Sequence, residues 1–299
     1  MWSEWLSVLD APEERLFWPF LVSALVIALL GGLLGAVSLR KDLFSKDLWW
    51  HPSARADYGV FVVRAVLAAV LIAPYLVSST VIAVKVVLLL GKVLPEPPEW
   101  PLPPLATTIT YTVLLFLAAD GSRYLLHKWM HDFDVLWRFH QVHHSAEVMT
   151  PVTLYRTHPV EGLLGALRGV LVTGLVAGVF AWLTRGQARP AEVLGVNAIA
   201  FALNLAGSNL RHSHVWISFG PFERLVLSPA QHQLHHGIET AGHRVNYGSF
   251  LALWDVLGGS FVRATKRPAA FGVEAVHLNH HPHRVLSLLL GPFRRRSPR

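Results

Sequence analysis

Long apolar stretches restrict this chain to folds that lie in a membrane. Residues 16–39 and 65–84 each have about the 20 residues that a helix needs to cross a bilayer. Arg40 follows the first stretch, and Arg64 and Lys85 flank the second, where long side chains can reach the lipid headgroups. Only 15% of the residues are charged, against about 25% in soluble domains. We therefore expect an integral membrane protein.

Three further apolar segments extend this expectation. Residues 105–119 form a shorter stretch, whose helix should continue through Asp120 into the histidines that follow. Residues 162–184 and 191–206 form a second hydrophobic pair, for which a buried helix of a soluble domain is the alternative. Together the segments predict an all-α fold, an integral membrane bundle of about four to five transmembrane helices.

The basic residues predict an orientation for these helices. The loop at residues 91–104 has one basic residue, Lys92, beside two acidic ones. The loop at residues 40–58 has four basic residues, namely Arg40, Lys41, Lys46 and Arg55. The positive-inside rule places the more basic loop in the cytoplasm, which returns the chain to that side just before His127. In a bacterium, the membrane would be the cytoplasmic one.

A repeated histidine phrase follows the third apolar segment. The pattern H-Q-[VL]-H-H-[SG]-[AI]-E occupies residues 140–147 and again 232–239, and an H-x-x-x-H pair precedes the first copy. Side chains three or four positions apart share a helix face, so each phrase should aim two or three ring nitrogens at one point. The phrases supply eight candidate metal ligands, His127, His131, His140, His143, His144, His232, His235 and His236. Eight neutral imidazoles exceed the needs of one tetrahedral ion and suit two open ones.

The residue types narrow the chemistry further. The chain has no cysteine, which excludes thiolate zinc sites and protein-ligated iron–sulfur clusters. Carboxylate di-iron proteins use paired Glu-x-x-His motifs, of which this chain has a single match at Glu274 and His277. A hydrolytic zinc ion needs only three protein ligands. An all-imidazole pair of ions therefore favours oxygen chemistry, in which iron changes its oxidation state.

Other functions are weighed against this interpretation. Haem would place its histidines inside the spans, and a transporter would place polar ligands near the bilayer midplane, where this chain has few. A metal-binding or metal-transporting membrane protein without catalysis is the main alternative. Nucleic acid is not an expected partner, because no aromatic stacking surface accompanies the basic C-terminal residues. We expect those residues to lie on anionic headgroups.

Over residues 120–259 the chain resembles the fatty acid hydroxylase and sterol desaturase superfamily of membrane di-iron oxygenases. Besides the three histidine boxes, it has an R-x-H-P-x-E stretch at residues 156–161 and N-Y-G at 246–248, followed by W-D at 254–255. The family's H-S-N box corresponds to residues 212–214, where His214 replaces the asparagine. Its terminal F-G-T corresponds to L-G-G at residues 257–259.

The resemblance implies a cytosolic, mostly helical and histidine-rich cap that holds two iron ions, with zinc possible in purified protein. It adds His212 to the ligands, and His214 as a doubtful further one. It also implies that five residues near the ligands support them, namely Asp120, Arg123, His158, Glu161 and Asn246. A helix cap is the alternative role for His158, and an ordinary salt bridge for the three charged residues.

On this resemblance the chain hydroxylates or desaturates an aliphatic C–H bond of a lipid, such as a sterol or a fatty acyl chain, with O2. Electrons must come from a separate reductase, ferredoxin or cytochrome, because the chain has no G-x-G-x-x-G stretch for a nucleotide. We expect three regions: N-terminal membrane helices at residues 1–119, a catalytic region with a transmembrane hairpin at 120–262, and a basic tail at 263–299. Several large residues should line the substrate's path or anchor the interface, namely Trp129, Phe133, Leu136, Trp137 and Phe139.

Overall fold

The computed structural model describes residues 9–34, 38–67, 70, 78–97, 99–239 and 244–294. Helices dominate this part of the chain, as the sequence predicts. In chain order they are α1 (Trp18–Leu33), α2 (Leu39–Asp42), α3 (Lys46–Trp49), α4 (Pro52–Leu67), α5 (Ser79–Val93), α6 (Pro104–Asp132), α7 (Asp134–His144), α8 (Pro159–Leu183), α9 (Ala198–Leu205), α10 (Pro229–His236), α11 (Leu253–Gly258) and α12 (Val285–Leu290). Short 3-10 turns lie at Pro151–Tyr155, Ser208–His212, Gly220–Arg224, Ala275–His277 and Gly291–Phe293. Two strands, β1 (Glu192–Val193) and β2 (Val196–Asn197), pair with each other.

Among the described residues, two helices, α6 and α8, are long and apolar enough to cross a bilayer. In their most apolar windows only 28% and 17% of the residues are buried within the protein, so these helices are not the core of a soluble domain. The apolar helix α1 is shorter, with 16 residues. Within the span predicted at residues 65–84, residues 68–69 and 71–77 lie outside the described residues. The number of spans therefore stays a prediction.

The length of α6 shows how a membrane helix can present metal ligands. Its 29 residues make a helix about 43 Å long, at about 1.5 Å per residue. The apolar core of a bilayer is about 30 Å thick, so about two turns of α6 can project beyond it. His127 and His131 lie in those last turns. The expectation that this helix continues through Asp120 into the first histidines is confirmed.

Helix α5 packs along α8 through two glycines. A Cβ atom at Gly174 would lie 2.5 Å from Cβ of Ile82, and one at Gly178 would lie 2.6 Å from Cβ of Val86. Small residues four positions apart allow the close backbone approach by which membrane helices commonly pack. Nothing lies within 4 Å of a Cβ built at Gly165, which precedes Gly174 by about two and a half turns of α8.

The span predicted at residues 191–206 is wrong. Strands β1 and β2 form a small antiparallel hairpin, with Glu192 opposite Asn197. Gly195 makes its turn with a positive φ of 80°, a conformation that glycine adopts without strain. Only the eight residues of α9 are helical after it, about 12 Å of helix, which cannot cross a bilayer. The side chain of Asn197 caps α9, so a helix begins where the sequence pattern shows no interruption.

The C-terminal segment packs on the short helices around α7. The side chain of Gln141 donates a hydrogen bond from Nε2 to the carbonyl oxygen of His277, at 2.7 Å. Leu288 of α12 is completely buried and belongs to a small apolar cluster with Val60 and Val142. Residues 263–294 therefore form part of the structure that surrounds the histidines.

Candidate metal centre

Nine histidines converge as two adjacent groups beyond the apolar part of α6. The first group contains His127, His131, His140, His144 and His235. The second group contains His143, His212, His232 and His236. Within each group, the candidate ligand nitrogens all lie within 4.8 Å of one another. The rings of His144 and His236, one from each group, stack with 4.5 Å between their centroids, so the two groups adjoin.

Each copy of the histidine phrase serves both groups. On α7, His140 and His144 belong to the first group, whereas His143 belongs to the second. On α10, His235 belongs to the first group, whereas His232 and His236 belong to the second. Successive residues of a helix are about 100° apart, so neighbouring histidines cannot point the same way. The i and i+4 histidines of each phrase therefore share a group, as the spacing predicts, but the third histidine of each repeated phrase, His143 or His235, belongs to the other group. Two helices thus lie across a pair of sites.

Backbone carbonyls fix the tautomers of two histidines in the first group. Nδ1–H of His127 donates to the carbonyl oxygen of Tyr247, at 2.7 Å. Nδ1–H of His235 donates to the carbonyl oxygen of Val245, also at 2.7 Å. Since a carbonyl oxygen only accepts, Nε2 of each neutral ring carries a lone pair. The two Nε2 atoms lie 3.1 Å apart, and a cation between them would relieve the repulsion of their lone pairs.

The spacing of the other ring nitrogens also fits metal ions. Nε2 of His140 lies 3.1 Å from Nε2 of His144. In the second group, Nε2 of His212 lies 3.2 Å from that of His143 and 3.0 Å from that of His232. Two nitrogens bound at about 2.1 Å to one ion lie roughly 3.0–3.4 Å apart, for right-angled to tetrahedral geometry. Both groups could therefore hold a metal ion.

Burial keeps the second group neutral. Burial, and then the neighbouring His140, lower the pKa of the His143 imidazole to about 3. Burial likewise lowers the pKa values of His212 and His232 well below their usual range. These imidazoles are therefore neutral near pH 7 and can bind a metal ion without first losing a proton.

A carboxylate orients one histidine of the first group. Oε1 of Glu161 lies 3.0 Å from Nδ1 of His140. This contact turns Nε2 of the same ring toward the other histidines, as carboxylates beside metal-bound imidazoles do. Glu161 lies in the first turn of α8, where the helix dipole stabilises a negative charge.

Asn246 shapes the loop whose carbonyls fix the two tautomers. It has a positive φ of 53°, in the left-handed region that asparagine tolerates better than most residues. Its Nδ2 donates to the carbonyl oxygen of Val262 at 3.0 Å, and its Oδ1 accepts from the Val262 amide at 2.8 Å. The carbonyls that accept from His127 and His235 belong to the residues on either side of Asn246. The asparagine therefore supports the ligands through the backbone, without touching them.

Asp255 holds the next part of the same loop. Its carboxylate accepts from the amides of Tyr247 and Gly248, at 2.7 and 2.9 Å. A Cβ atom at Gly248 would lie 2.6 Å from the carbonyl oxygen of Leu251, so only glycine fits there. The N-Y-G and W-D stretches are thus joined in one loop, because the buried Asp255 of the second accepts hydrogen bonds from the backbone of the first.

Asp120 and Arg123 contact the loop around Phe250, whereas the sequence led us to expect contacts with the histidines. Oδ1 of Asp120 accepts from the amide of Phe250, at 3.0 Å. Its Oδ2 accepts from the Leu251 amide and from Nε1 of Trp254, each at 3.0 Å. The Arg123 guanidinium lies over the Phe250 ring, 5.8 Å from its centroid. Both side chains leave α6 before His127, so they meet the supporting loop rather than the ligands.

His158 and His214 lie outside both groups. His158 caps α8 through Nδ1, and its Nε2–H donates to the carbonyl oxygen of Leu289 at 2.9 Å. This is the helix-cap role that the sequence left open. Nε2 of His214 accepts from the amide of Met149, at 3.1 Å. It lies two residues after His212 in extended chain, so its ring faces a different neighbour.

Sequence reasoning missed two buried carboxylates that hold the site together. Oδ1 of Asp57 lies 2.8 Å from Nη1 of Arg156, and both side chains are completely buried. Glu223, also completely buried, accepts from Oγ of Ser228, the residue that caps α10. A single acidic residue in a polar segment has no distinctive pattern, and only the fold shows that these two are buried.

The glutamine of each histidine phrase also has a structural role. Nε2 of Gln233 donates to the carbonyl oxygens of Ser213 and Val215, at 3.0 and 2.9 Å. This ties α10 to the segment that follows His212. The repetition of glutamine in the phrase was visible in the sequence, but its partner was not.

Comparison with known proteins connects this geometry to a family. The sequence model of the fatty acid hydroxylase family matches residues 112–260, about half of the chain, and the match includes all nine converging histidines. The chain belongs to this family. The resemblance inferred from the histidine boxes is therefore confirmed.

Several curated relatives of the family region are known. Ornithine lipid hydroxylase OlsE of Rhizobium tropici is 27% identical over 168 residues, which cover 55% of this chain and 44% of that protein. Alkylglycerol monooxygenase of Homo sapiens is 26% identical over 146 residues, covering 49% and 29%. Delta(7)-sterol 5(6)-desaturase of Saccharomyces cerevisiae is 27% identical over 159 residues, covering 52% and 36%. The chain thus spans less than half the length of these three relatives. No solved structure matches it significantly.

Proposed function

We propose that this chain is a membrane-bound non-haem di-iron oxygenase that hydroxylates or desaturates an aliphatic C–H bond of a lipid. The observation that carries the proposal is the pair of adjacent imidazole groups, with five and four histidines. A six-coordinate ion bound by five or four imidazoles keeps open positions, as non-haem iron oxygenases require. The names of the relatives, a hydroxylase, a monooxygenase and a desaturase, support the same reaction class.

When bound, a pair of iron ions supplies the activation of O2 and the removal of hydrogen from an unactivated C–H bond. Hydroxylation consumes O2, two electrons and two protons, and yields the alcohol and one water. Desaturation consumes the same reactants and yields the double bond and two waters. The electrons come from a separate donor, for which we propose a reductase, ferredoxin or cytochrome.

The protein's own residues prepare the site for this reaction. Neutral imidazoles are ready as ligands, and Glu161 keeps the His140 ring in position. The Trp137 ring lies 5.1 Å from the His131 ring and 5.5 Å from the His144 ring, measured between centroids. This indole covers the first group and excludes water from one side of it.

We propose that the lipid reaches the site from the bilayer past the aromatic residues of α6 and α7. Trp129 and Phe133 are large and about half exposed, at 49% and 56%. Trp137, four residues after Phe133, contacts rings of the first histidine group. Aromatic residues of this kind favour the membrane interface. From the charges of the loops, we place the histidine groups on the cytoplasmic face.

A labelled-oxygen experiment tests the proposed function. Purified protein is reconstituted with ferrous iron and supplied with ferredoxin, ferredoxin reductase, NADPH and a lipid extract under ¹⁸O₂. We expect ¹⁸O in a lipid product or, for desaturation, a lipid that has lost two hydrogens. His143→Ala should abolish the product, whereas His281→Ala, at an exposed histidine of the C-terminal segment, should not. Bound iron with no lipid oxidation and no O2 consumption would instead indicate the non-catalytic alternative.

A further inference from the structure

Three arginines surround one buried phenylalanine beside the metal centre. Their guanidinium carbons lie between 5.1 and 6.0 Å from the centroid of the Phe250 ring. They are Arg15, Arg123 and Arg211. Each comes from a different segment, so the fold brings together three positive charges that are distant in sequence. The ring gives each cation a weak electrostatic attraction, but it does not neutralise their charge.

No described carboxylate forms a salt bridge with any of these three arginines. Asp120, which lies on the same helix as Arg123, uses its oxygens for the amides of Phe250 and Leu251. Burial, and then the nearby Arg123, lower the pKa of Arg15 to about 10. The charge of Asp120 favours the protonated form of Arg123 and Arg211. Three buried positive charges still exceed this one negative charge, and a bound anion would reduce the cost of that excess.

Two of the arginines, Arg15 and Arg211, are held in place by hydrogen bonds from their Nε atoms. Asn209 accepts from Nε of Arg15 at 3.1 Å, and its own Nδ2 donates to the Arg15 carbonyl oxygen at 2.7 Å. Nε of Arg211 donates to the carbonyl oxygen of Ser208 at 3.1 Å, and Arg211 is only 6% exposed. Anchoring through Nε leaves the terminal nitrogens available for a ligand. Guanidinium groups fixed in this way match the oxygens of phosphates and carboxylates.

A cavity of about 230 Å³ adjoins this arginine cluster. Its lining combines apolar residues of α6 and α9, such as Phe116 and Ala200, with Arg123 and Phe250 of the cluster. It also includes the carboxylates of Asp120 and Glu192. Arg123 precedes His127 by four residues, one turn of α6. A single molecule with an anionic end at the arginines and an aliphatic part in the cavity would therefore have its headgroup about one turn of α6 from His127.

We infer that Arg15, Arg123 and Arg211 bind the oxyanion headgroup, a phosphate or a carboxylate, of the lipid that this site oxidises. The inference rests on the proposed function, because it names the substrate class of the same site. It differs from a site for free phosphate, since the apolar part of the cavity lining would contact the lipid's chain. Neutral lipids of equal chain length should bind more weakly, because they leave the excess positive charge of the arginines uncompensated.

A binding experiment with no turnover tests this inference. Purified full-length protein in a neutral detergent is titrated with dodecyl phosphate, dodecanoate and dodecanol, and binding is followed by native mass spectrometry. We expect both anions to bind at least about tenfold more tightly than the alcohol. The stronger of the two anions identifies the headgroup chemistry. Because no oxidation is measured, a failure of the oxygenase proposal leaves this result interpretable.

Matched arginine variants complete the test. Arg211→Gln should weaken binding of dodecyl phosphate by about tenfold or more. Arg224→Gln is the control, because Arg224 is exposed and its guanidinium lies 5.7 Å from the Phe261 ring, a similar contact elsewhere. If Arg211→Gln does not fold, Arg123→Gln replaces it as the test variant, with the same expected loss of binding. Equal binding of anion and alcohol, equal effects at Arg211 and Arg224, or complete competition by millimolar inorganic phosphate would each overturn the inference.

Discussion

Oε1 of Glu161 lies 3.0 Å from Nδ1 of His140, so the first turn of α8 orients a histidine of α7. Removing such a carboxylate lowers metal affinity by about 10–100-fold, because the ring loses both its orientation and part of its basicity. We expect Glu161→Ala to have this effect in competition titrations of ferrous iron against a chelator. Glu147→Ala is the control, since Glu147 is exposed and contacts His283 of the C-terminal segment. Equal affinities of the two variants would contradict the role of Glu161.

Asn246 should be a stability determinant. Asn246→Ala keeps the left-handed backbone without the side chain's hydrogen bonds to Val262. We therefore expect the free energy of unfolding to fall by about 2–4 kcal/mol. Leu194 provides the comparison, because it also has a positive φ, 51°, but is 65% exposed. Leu194→Ala should change the free energy of unfolding by less than about 1 kcal/mol. Denaturation of both variants in detergent measures the difference, and similar losses at the two positions would refute the argument.

Close packing of α5 against α8 should make Gly174 intolerant of larger residues. Gly174→Val places methyl groups against Ile82, and overpacking of this kind costs about 1–3 kcal/mol. Gly165→Val is the matched control on the same helix, since nothing lies near a Cβ at that position. Thermal unfolding in detergent micelles should show a lower midpoint for the first variant only. A tolerated Gly174→Val would mean that the two helices are not in contact.

The metal-free protein should lose stability in acid. An unfolded histidine binds a proton below a pKa of about 6.5, whereas the folded His143 stays neutral to about pH 3. Between these values the unfolded state binds more protons, so the free energy of unfolding falls as the pH falls. Melting with a chelator present should give a lower midpoint at pH 5 than at pH 7. His143→Asn should reduce that difference, and a midpoint independent of pH would argue against buried neutral histidines.

Local spacing was enough to predict the converging histidines, because positions three and four residues apart are neighbours on any helix. Their division between two groups was not predictable in this way. It depends on how α7 and α10 cross, which places His143 and His235 in opposite groups from their nearest neighbours. The supporting roles of Asp120 and Arg123 could also not be predicted from the sequence, since they depend on where the loop around Phe250 lies in the fold.

Apolar composition predicted α6 and α8 but failed at residues 191–206. A hairpin and a helix can have the same apolar content, and the turn at Gly195 decides between them. The buried Asp57 and Glu223 could not be predicted, because a single carboxylate becomes structural only through its distant partners. The pattern therefore predicts the converging histidines more reliably than the residues that support them.

Iron stoichiometry tests the central claim of two adjacent metal sites most directly. Protein reconstituted anaerobically with ferrous iron and then desalted should hold two ions per chain, one for each histidine group. His232→Ala removes a residue of the second group only, so that variant should keep about one ion. Elemental analysis together with Mössbauer spectroscopy distinguishes these states. Two irons in the wild type and one in His232→Ala is the expected result, whereas a single iron in the wild type would contradict the account.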